Sequence, residues 1–179
     1  RVEVLDQAAL ELREPLELEE PVSNILVTPT SAVMYNQSRN DVKDVYHVNL
    51  ETYDITEYRV ANPLNELQLS PGQGYAVGTL RPENSSGSSL DAYQDSRWGL
   101  AVIDLDDEDE TSLVLEAEPI GLAVVEREEA TYALVLMDGI EHLLQVNLDE
   151  PSFFTEVELD GPPLSIGQLT SGQFYVTHD

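Results

Sequence analysis

Three groups in this 179-residue chain have types and spacing that could do chemistry. The first is the histidines, His47, His142 and His178. Catalysis would need one of them within hydrogen-bond reach of a nucleophile or a carboxylate. They fall at non-equivalent places in the strand pattern described below, so the sequence predicts no shared site for them. The second is the acidic run Asp104-Leu105-Asp106-Asp107-Glu108-Asp109-Glu110. Hard oxygen ligands at this density could hold Ca²⁺. The Asp-x-Asp-x-Asp-Gly order of an EF-hand is absent, however, and no glycine bends the loop around an ion. A solvated acidic turn is therefore the favoured reading, with calcium the alternative. The third is Tyr93, Arg97 and Trp98, the one aromatic–basic cluster in an acidic chain. Tryptophan and arginine are favoured interface anchors, which makes these three the expected binding residues.

Other chemistry is excluded by what is missing. There is no phosphate-binding glycine loop, no Gly-x-Ser-x-Gly elbow and no His-Glu-x-x-His helix. Zero cysteines exclude disulfides and zinc–thiolate sites. No cofactor, metal centre or catalytic set is expected. Asn36-Gln37-Ser38 and Asn84-Ser85-Ser86 are formal glycosylation sequons, read as coincidence in a bacterial chain.

The formal charge is -27, from 35 acidic and 8 basic residues. Such a surface repels phosphate backbones, so nucleic acid and anionic membranes are not expected partners. Cationic proteins and divalent ions are the partners it would attract. No apolar run approaches the roughly 20 residues needed to cross a membrane. The chain begins at Arg1 rather than Met, so an upstream region is expected to have been removed or left out. A cysteine-free, acidic, strand-rich chain suits a bacterial periplasm or cell surface.

The elements that must position these residues are short runs rich in Val, Leu, Ile, Thr and Tyr, separated by Gly, Pro, Asn, Asp and Ser. That is the signature of strands and turns. An apolar-Asp/Asn-Leu stretch recurs as Val48-Asn49-Leu50, Val102-Ile103-Asp104-Leu105 and Val146-Asn147-Leu148, with Val2-Glu3-Val4-Leu5-Asp6 a looser fourth copy. Aligned on it, the chain divides into four-strand units. First strands are expected at 24–28, 66–70, 122–126 and 165–169. Second strands follow at 32–36, 75–79, 132–137 and 174–177. The third carries the recurring stretch, and an amphipathic fourth lies at 55–60, 112–117, 154–159 and 10–18. From Leu5 to Leu50 is 45 residues, from Leu50 to Leu105 is 55, and from Leu105 to Leu148 is 43. The long interval comes from residues 81–96, whose Ser/Gly-rich centre reads as a flexible insertion.

Antiparallel four-strand units of about 40–50 residues are the signature of β-propeller blades. The fold class is therefore all-β: half-blade 1–20, blade 21–62, blade 63–118 with the inserted loop 81–96, blade 119–161 and half-blade 162–179. A β-sandwich or a parallel β-helix is the structural alternative. Pro21, Pro63, Pro119 and Pro162-Pro163 are placed between blades. Tyr75, Tyr132 and Phe174 share one second-strand position, broken by Ser31, and are expected to pack blade against blade. If the two half-blades met, a four-bladed ring would close. The favoured expectation is a slice of a propeller of about seven or eight blades.

Ser70-Pro71-Gly72-Gln73-Gly74-Tyr75-Ala76-Val77 resembles the Ser-Pro-Asp-Gly-x-x-Tyr-Val element of YVTN-type propellers. Phe174-Tyr175-Val176-Thr177-His178-Asp179 resembles their Tyr-Val-Thr-Asn strand, and Ala101-Val102-Ile103-Asp104-Leu105 their Val-x-Val-Ile-Asp-Leu strand. Thr28-Pro29-Thr30-Ser31 and Arg127-Glu128-Glu129 depart from the family's turn. The resemblance implies a bacterial protein, secreted or attached to the envelope, that binds a ligand or a protein. It also implies lactonase-like relatives, but no residues here match an enzymatic relative's active site. Three functions follow as expectations: a non-catalytic module binding a macromolecule through its loops; an array completed by a second propeller segment, in another chain or copy; and, as the alternative, a lactonase-like hydrolase acting at the central channel.

Overall fold

Second and third strands of a blade are covered on both faces, so their sequences run apolar without alternation. Gly99-Leu100-Ala101-Val102-Ile103 is such a run, and it is buried throughout. Fourth strands lie at the outer edge and alternate, as Ile55-Thr56-Glu57-Tyr58-Arg59 does around buried Tyr58. The computed structural model describes residues 2, 5–6, 11–12, 15–83, 90–127, 130–169 and 173–178; of residues 5, 6, 11, 12, 91 and 92 it describes the backbone alone.

Five antiparallel sheets follow one another along the chain. The first is the hairpin β1 (Leu5–Asp6) and β2 (Glu11–Leu12), extended by a bridge between Val2 and Leu16. Three four-stranded sheets follow, each a meander in chain order. One holds β3 (Asn24–Val27), β4 (Ser31–Tyr35), β5 (Asp44–Asn49) and β6 (Ile55–Arg59). The next holds β7 (Leu64–Leu69), β8 (Tyr75–Leu80), β9 (Gly99–Asp104) and β10 (Asp109–Val114), with helix α1 (Leu90–Asp95) between β8 and β9. The third holds β11 (Pro119–Arg127), β12 (Ala130–Met137), β13 (His142–Asn147) and β14 (Phe154–Glu158). The last sheet is the hairpin of β15 (Pro163–Gln168) and β16 (Phe174–His178). Three whole blades and two halves are thus present, as the repeat predicts. The terminal hairpins are separate sheets and do not pair with each other among the described residues.

Three apolar cores glue neighbours together. Leu16 packs with Ala32, Met34, Tyr46 and Val48, joining the N-terminal hairpin to the first blade. Val33, Val45 and Tyr58 meet Leu64, Ala76 and Ile103 between the first and second blades. Val77, Leu100 and Val102 meet Val124, Ala133 and Val146 between the second and third. Adjacent residues Ala76 and Val77 point into different cores, as the period of two requires. Gly78 permits the close packing: a Cβ there would lie 2.8 Å from the Glu66 carbonyl oxygen and collide with Leu64.

The recurring Asn/Asp-Leu stretch has a structural cause. The Oδ1 of Asn49 accepts from the backbone N–H of Glu51 (2.8 Å) and Thr52 (3.1 Å), and that of Asp104 from Asp106 (3.0 Å) and Asp107 (2.9 Å). Asn147 does the same for Asp149 at 3.1 Å. These are Asx turns joining third to fourth strands. The leucine N–H that follows donates back to the start of the second strand, from Leu50 to Thr30, Leu105 to Gly74 and Leu148 to Thr131, each at 2.9 Å.

Three local expectations change, and a fourth, that the first sequon is coincidence, is matched by a buried Asn36. The expected strand at 10–18 is not continuous: β2 is Glu11–Leu12 among the described residues, and Pro15, which has no N–H to donate, lies outside any strand before the isolated bridge at Leu16. Pro119 and Pro163 are not linkers but open β11 and β15, each followed by a register shift, and a first residue is where a strand tolerates proline. The insertion is not wholly irregular, because it contains α1; its residues 84–89 lie outside the described residues. Asn36 of the first sequon is buried, its Nδ2 donating to the Pro21 carbonyl (2.7 Å) and its Oδ1 accepting from Ser38 and Arg39.

Candidate functional site

The meander places two sets of loops at opposite ends of each blade. First-to-second and third-to-fourth turns share one end, which carries Glu51, Asp54, Asp106, Asp107, Glu108, Asp149 and Glu150. Second-to-third and fourth-to-first connections share the other. There, Arg39, Lys43, Arg59, Arg81 and Arg97, five of the chain's eight basic residues, gather around the first two blades. The described parts of the segment 81–98, residues 81–83 and 90–98, stand among them.

The two ends of this segment are tied together. Arg81 N–H donates to the Pro63 carbonyl (2.8 Å), and Glu83 N–H to the Asp95 carbonyl (2.6 Å). Lys43 Nζ pairs with Glu83 at 3.0 Å and donates to the Ala61 carbonyl at 2.7 Å. Asn62 is the main brace. It is only 3% exposed, and its Nδ2 donates to the carbonyls of Asp95 (3.1 Å), Arg97 (3.2 Å) and Gln94 (3.4 Å). Those of Gln94 and Asp95 are among the carbonyls that a helix leaves without intrahelical partners at its C-terminus.

On this brace, α1 presents Tyr93, which is 52% exposed. The Arg97 guanidinium lies over the Tyr93 ring, 5.0 Å from its centroid, within cation–π range. Arg97 has no carboxylate partner among the described residues. Trp98 takes a different part. It is half-buried against the core between the second and third blades, and its carbonyl accepts from Leu115 N–H at 2.9 Å. The structure therefore brings Tyr93 and Arg97 together as an exposed pair and uses Trp98 as their anchor. A small pocket of about 60 Å³ opens beside it, lined by residues including Asn62, Gln94, Arg97 and Trp98.

The other candidates are dispersed. His47 lies on the first blade, where burial holds its imidazole below the ordinary value despite Asp106 and Glu108 nearby. His142 is 3.8 Å from Glu156 on its own sheet, and His178 Nδ1 sits 3.0 Å from the Gly161 carbonyl oxygen. In the acidic run, Asp104 is occupied by its Asx turn and Glu108 by Thr56 at 3.3 Å. Among the described residues, no three His, Asp or Glu side chains converge as metal ligands. Among them too, no helix is long and apolar enough to cross a membrane. Tyr75 packs at the core between second and third blades, and its hydroxyl donates to Asp149 Oδ1 at 2.7 Å; burial first, then that carboxylate, raises its pKa.

No family model and no curated protein matches the sequence. Solved structures do. A dihydro-heme d1 dehydrogenase, NirN, in complex with DHE, matches over 94% of this chain and 35% of its own length, at 19% identity and a TM-score of 0.58. The WD40 domain of Neurospora crassa Pan2 matches over 97% of this chain and 52% of its own, at 14% identity and a TM-score of 0.57. The β-propeller domain of Cps50 (Swd1) from Myceliophteria thermophila covers 96% and 54%, at 12% identity and a TM-score of 0.52. This chain is a β-propeller module. It spans about a third of the first of these structures and about half of the other two. At such identities the likeness carries the fold alone.

Sequence reasoning missed Asn62 and the gathering of basic residues. Asn62 stands in Ala61-Asn62-Pro63, which reads as an ordinary turn starter. Its burial depends on the insertion folding over it, and no local pattern marks that.

Proposed function

We propose that the propeller module is a non-catalytic binding and scaffold segment of a bacterial envelope or secreted protein of YVTN type. It recognises a protein or other macromolecule through its loops, including the segment from Arg81 to Trp98, and a second propeller segment, in another chain or copy, completes its ring. The observation that carries the reading is the braced Tyr93–Arg97 pair. An exposed aromatic ring and a guanidinium with no carboxylate partner among the described residues, braced by Asn62 and Trp98, form a contact surface whose conformational cost is largely met before binding. The prevailing negative charge makes nucleic acid an unsuitable partner.

Ring completion is supported by the third blade. Beyond it a groove of about 750 Å³ runs between β11–β14 and the final hairpin, lined by apolar groups including Leu134, Leu143 and Val157. Light scattering gives the molar mass directly. Association above the 19.9 kDa of one chain is expected for completion by a second copy, and a strict monomer contradicts that form of it. For the contact surface, the doubly substituted Tyr93→Ala/Arg97→Ala chain is expected to lose capture of envelope-fraction proteins while keeping its unfolding midpoint. Equal capture by both chains would count against this site.

A further inference from the structure

The two terminal hairpins leave complementary faces bare. The final one, β15 and β16, stands as the first and second strands of a blade and covers the inner part of the third blade, where Gly121 packs on Ile166. The outer part stays open. Val157 pairs with Leu143 across β14 and β13, as Tyr58 pairs with Val45 and Leu113 with Leu100 in the first two blades. Val45, Tyr58 and Leu100 are buried in the core shared with the blade that follows, whereas Val157 is 42% exposed along the groove. At the other end the pattern is reversed. β1 and β2 stand as a third and a fourth strand, Asp6 pairing with Glu11 as Asp104 pairs with Asp109. Beyond them Leu16 packs on the second and third strands of the first blade, but the first strand is left open: Ile25 and Val27 are 46% and 69% exposed. Their counterparts in the next two blades, Leu67 with Leu69 and Leu122 with Val124, lie in the shared cores.

Each bare face lacks what the opposite hairpin is. The groove needs a third and a fourth strand over Leu143 and Val157, and β1–β2 is such a pair. Ile25 and Val27 need a first and a second strand, and β15–β16 is such a pair. The strand edges agree. The Gln173 carbonyl accepts from Leu169 N–H at 2.7 Å, so by the alternation of antiparallel pairs the N–H groups of Phe174 and Val176 point away from β15. An edge of this kind is a template for an added strand. We propose that the occupant is a second copy of this chain, with β16 of each copy paired to β1 of the other in two composite blades. Three whole blades from each copy and the two composite ones make a ring of eight, within the range of propellers, and each contact is used twice about a two-fold axis. The size agrees, since one chain spans about half of the two propeller domains it is similar to. The inference rests on the reading that a second segment completes the ring, and it names that segment. The single chain, with its open last junction, is then the dissociated state reached on dilution.

Light scattering on the intact chain over a dilution series is expected to give twice the 19.9 kDa of one chain, falling to that value on dilution. Added salt should strengthen the association, because two chains of charge -27 repel each other. Val27→Lys and Val157→Lys lie on different blades and replace exposed side chains, so the single chain keeps its fold. Each should weaken association about a hundredfold or more, the effect of burying an uncompensated charge at both junctions. Val114→Lys, equally exposed but on β10 of the second blade, should leave the mass unchanged. An equal mixture of the Val27→Lys and Val157→Lys chains should regain the doubled mass, because one junction of the mixed pair carries neither substitution. A misfolded variant cannot give that recovery. A strict monomer, a mass that grows without limit on concentration, or a dimer that survives both substitutions would overturn the proposal. A monomer that captures an envelope-fraction protein and loses it on Val157→Lys would overturn the second copy but leave completion by another chain standing. A monomer that captures none would remove both.

Discussion

The junction between the second and third blades and the junction between the third blade and the final hairpin use the same parts to different effect. At the first, four strands face four, and Leu100, Ala133 and Val146 are fully buried between them. Polar ties cross at its edges: Gln68 Nε2 donates to the Leu122 carbonyl at 2.9 Å, and the Tyr75 hydroxyl to Asp149. At the second, two strands face four. β15 covers β11 and part of β12, while Leu164, Leu169 and Tyr175 remain about half exposed and the groove opens over Leu143 and Val157. Tyr132, at the position equivalent to Tyr75, lines that groove. The lesson is that a blade's inner strands dock on their neighbour by themselves, but the outer strands are what seal the core.

The largest effect that would break this comparison is a matched pair of truncations. Leu100→Ala should cost about 2–5 kcal/mol, the usual range for emptying a packed site, whereas Leu164→Ala should stay within about 0.5 kcal/mol. Urea midpoints followed by Trp98 emission decide it, and similar losses would mean that the last junction is sealed in solution. A smaller effect tests the polar ties. Tyr75→Phe should cost about 1 kcal/mol through the lost hydrogen bond to Asp149, while Tyr132→Phe, with no such bond among the described residues, should leave the midpoint unchanged.

The smallest effect is a pH dependence that extends the comparison to the remaining interior junction. Burial raises the carboxyls of Glu66 and Glu110 above their ordinary range. The folded chain therefore binds these protons more tightly than the unfolded chain, and stability falls as pH rises from the unfolded value through the folded one. Glu66→Gln and Glu110→Gln should raise the melting temperature at neutral pH, an advantage that vanishes below about pH 4, where the parent carboxyls are protonated in both states. Glu158→Gln, on exposed β14, should leave the midpoint at neutral pH within about 0.5 kcal/mol of the parent. Equal responses from all three would contradict the burial of the first two.

Much of this architecture is legible in the residues, because the repeat is written in turn chemistry. Asn49, Asp104 and Asn147 recur since each closes an Asx turn, and Leu50, Leu105 and Leu148 since each N–H anchors that turn to the second strand. Helix α1 was not legible. Six residues beside a Ser/Gly-rich stretch carry too little periodicity, and its C-terminus depends on Asn62, some thirty positions earlier. For the site, the pairing of Tyr93 with Arg97 is not a helical i, i+4 contact, because α1 ends at Asp95 and Arg97 lies in the bend after it. The burial of Trp98 was not legible either, since it depends on where the third blade packs.

Amide hydrogen exchange tests the contrast between sealed and open junctions most directly. The account predicts that β8, β9 and β12 exchange only through global unfolding, while β15 and β16 exchange through a local opening at much lower free energy. Equal protection of the final hairpin and the second blade would contradict it.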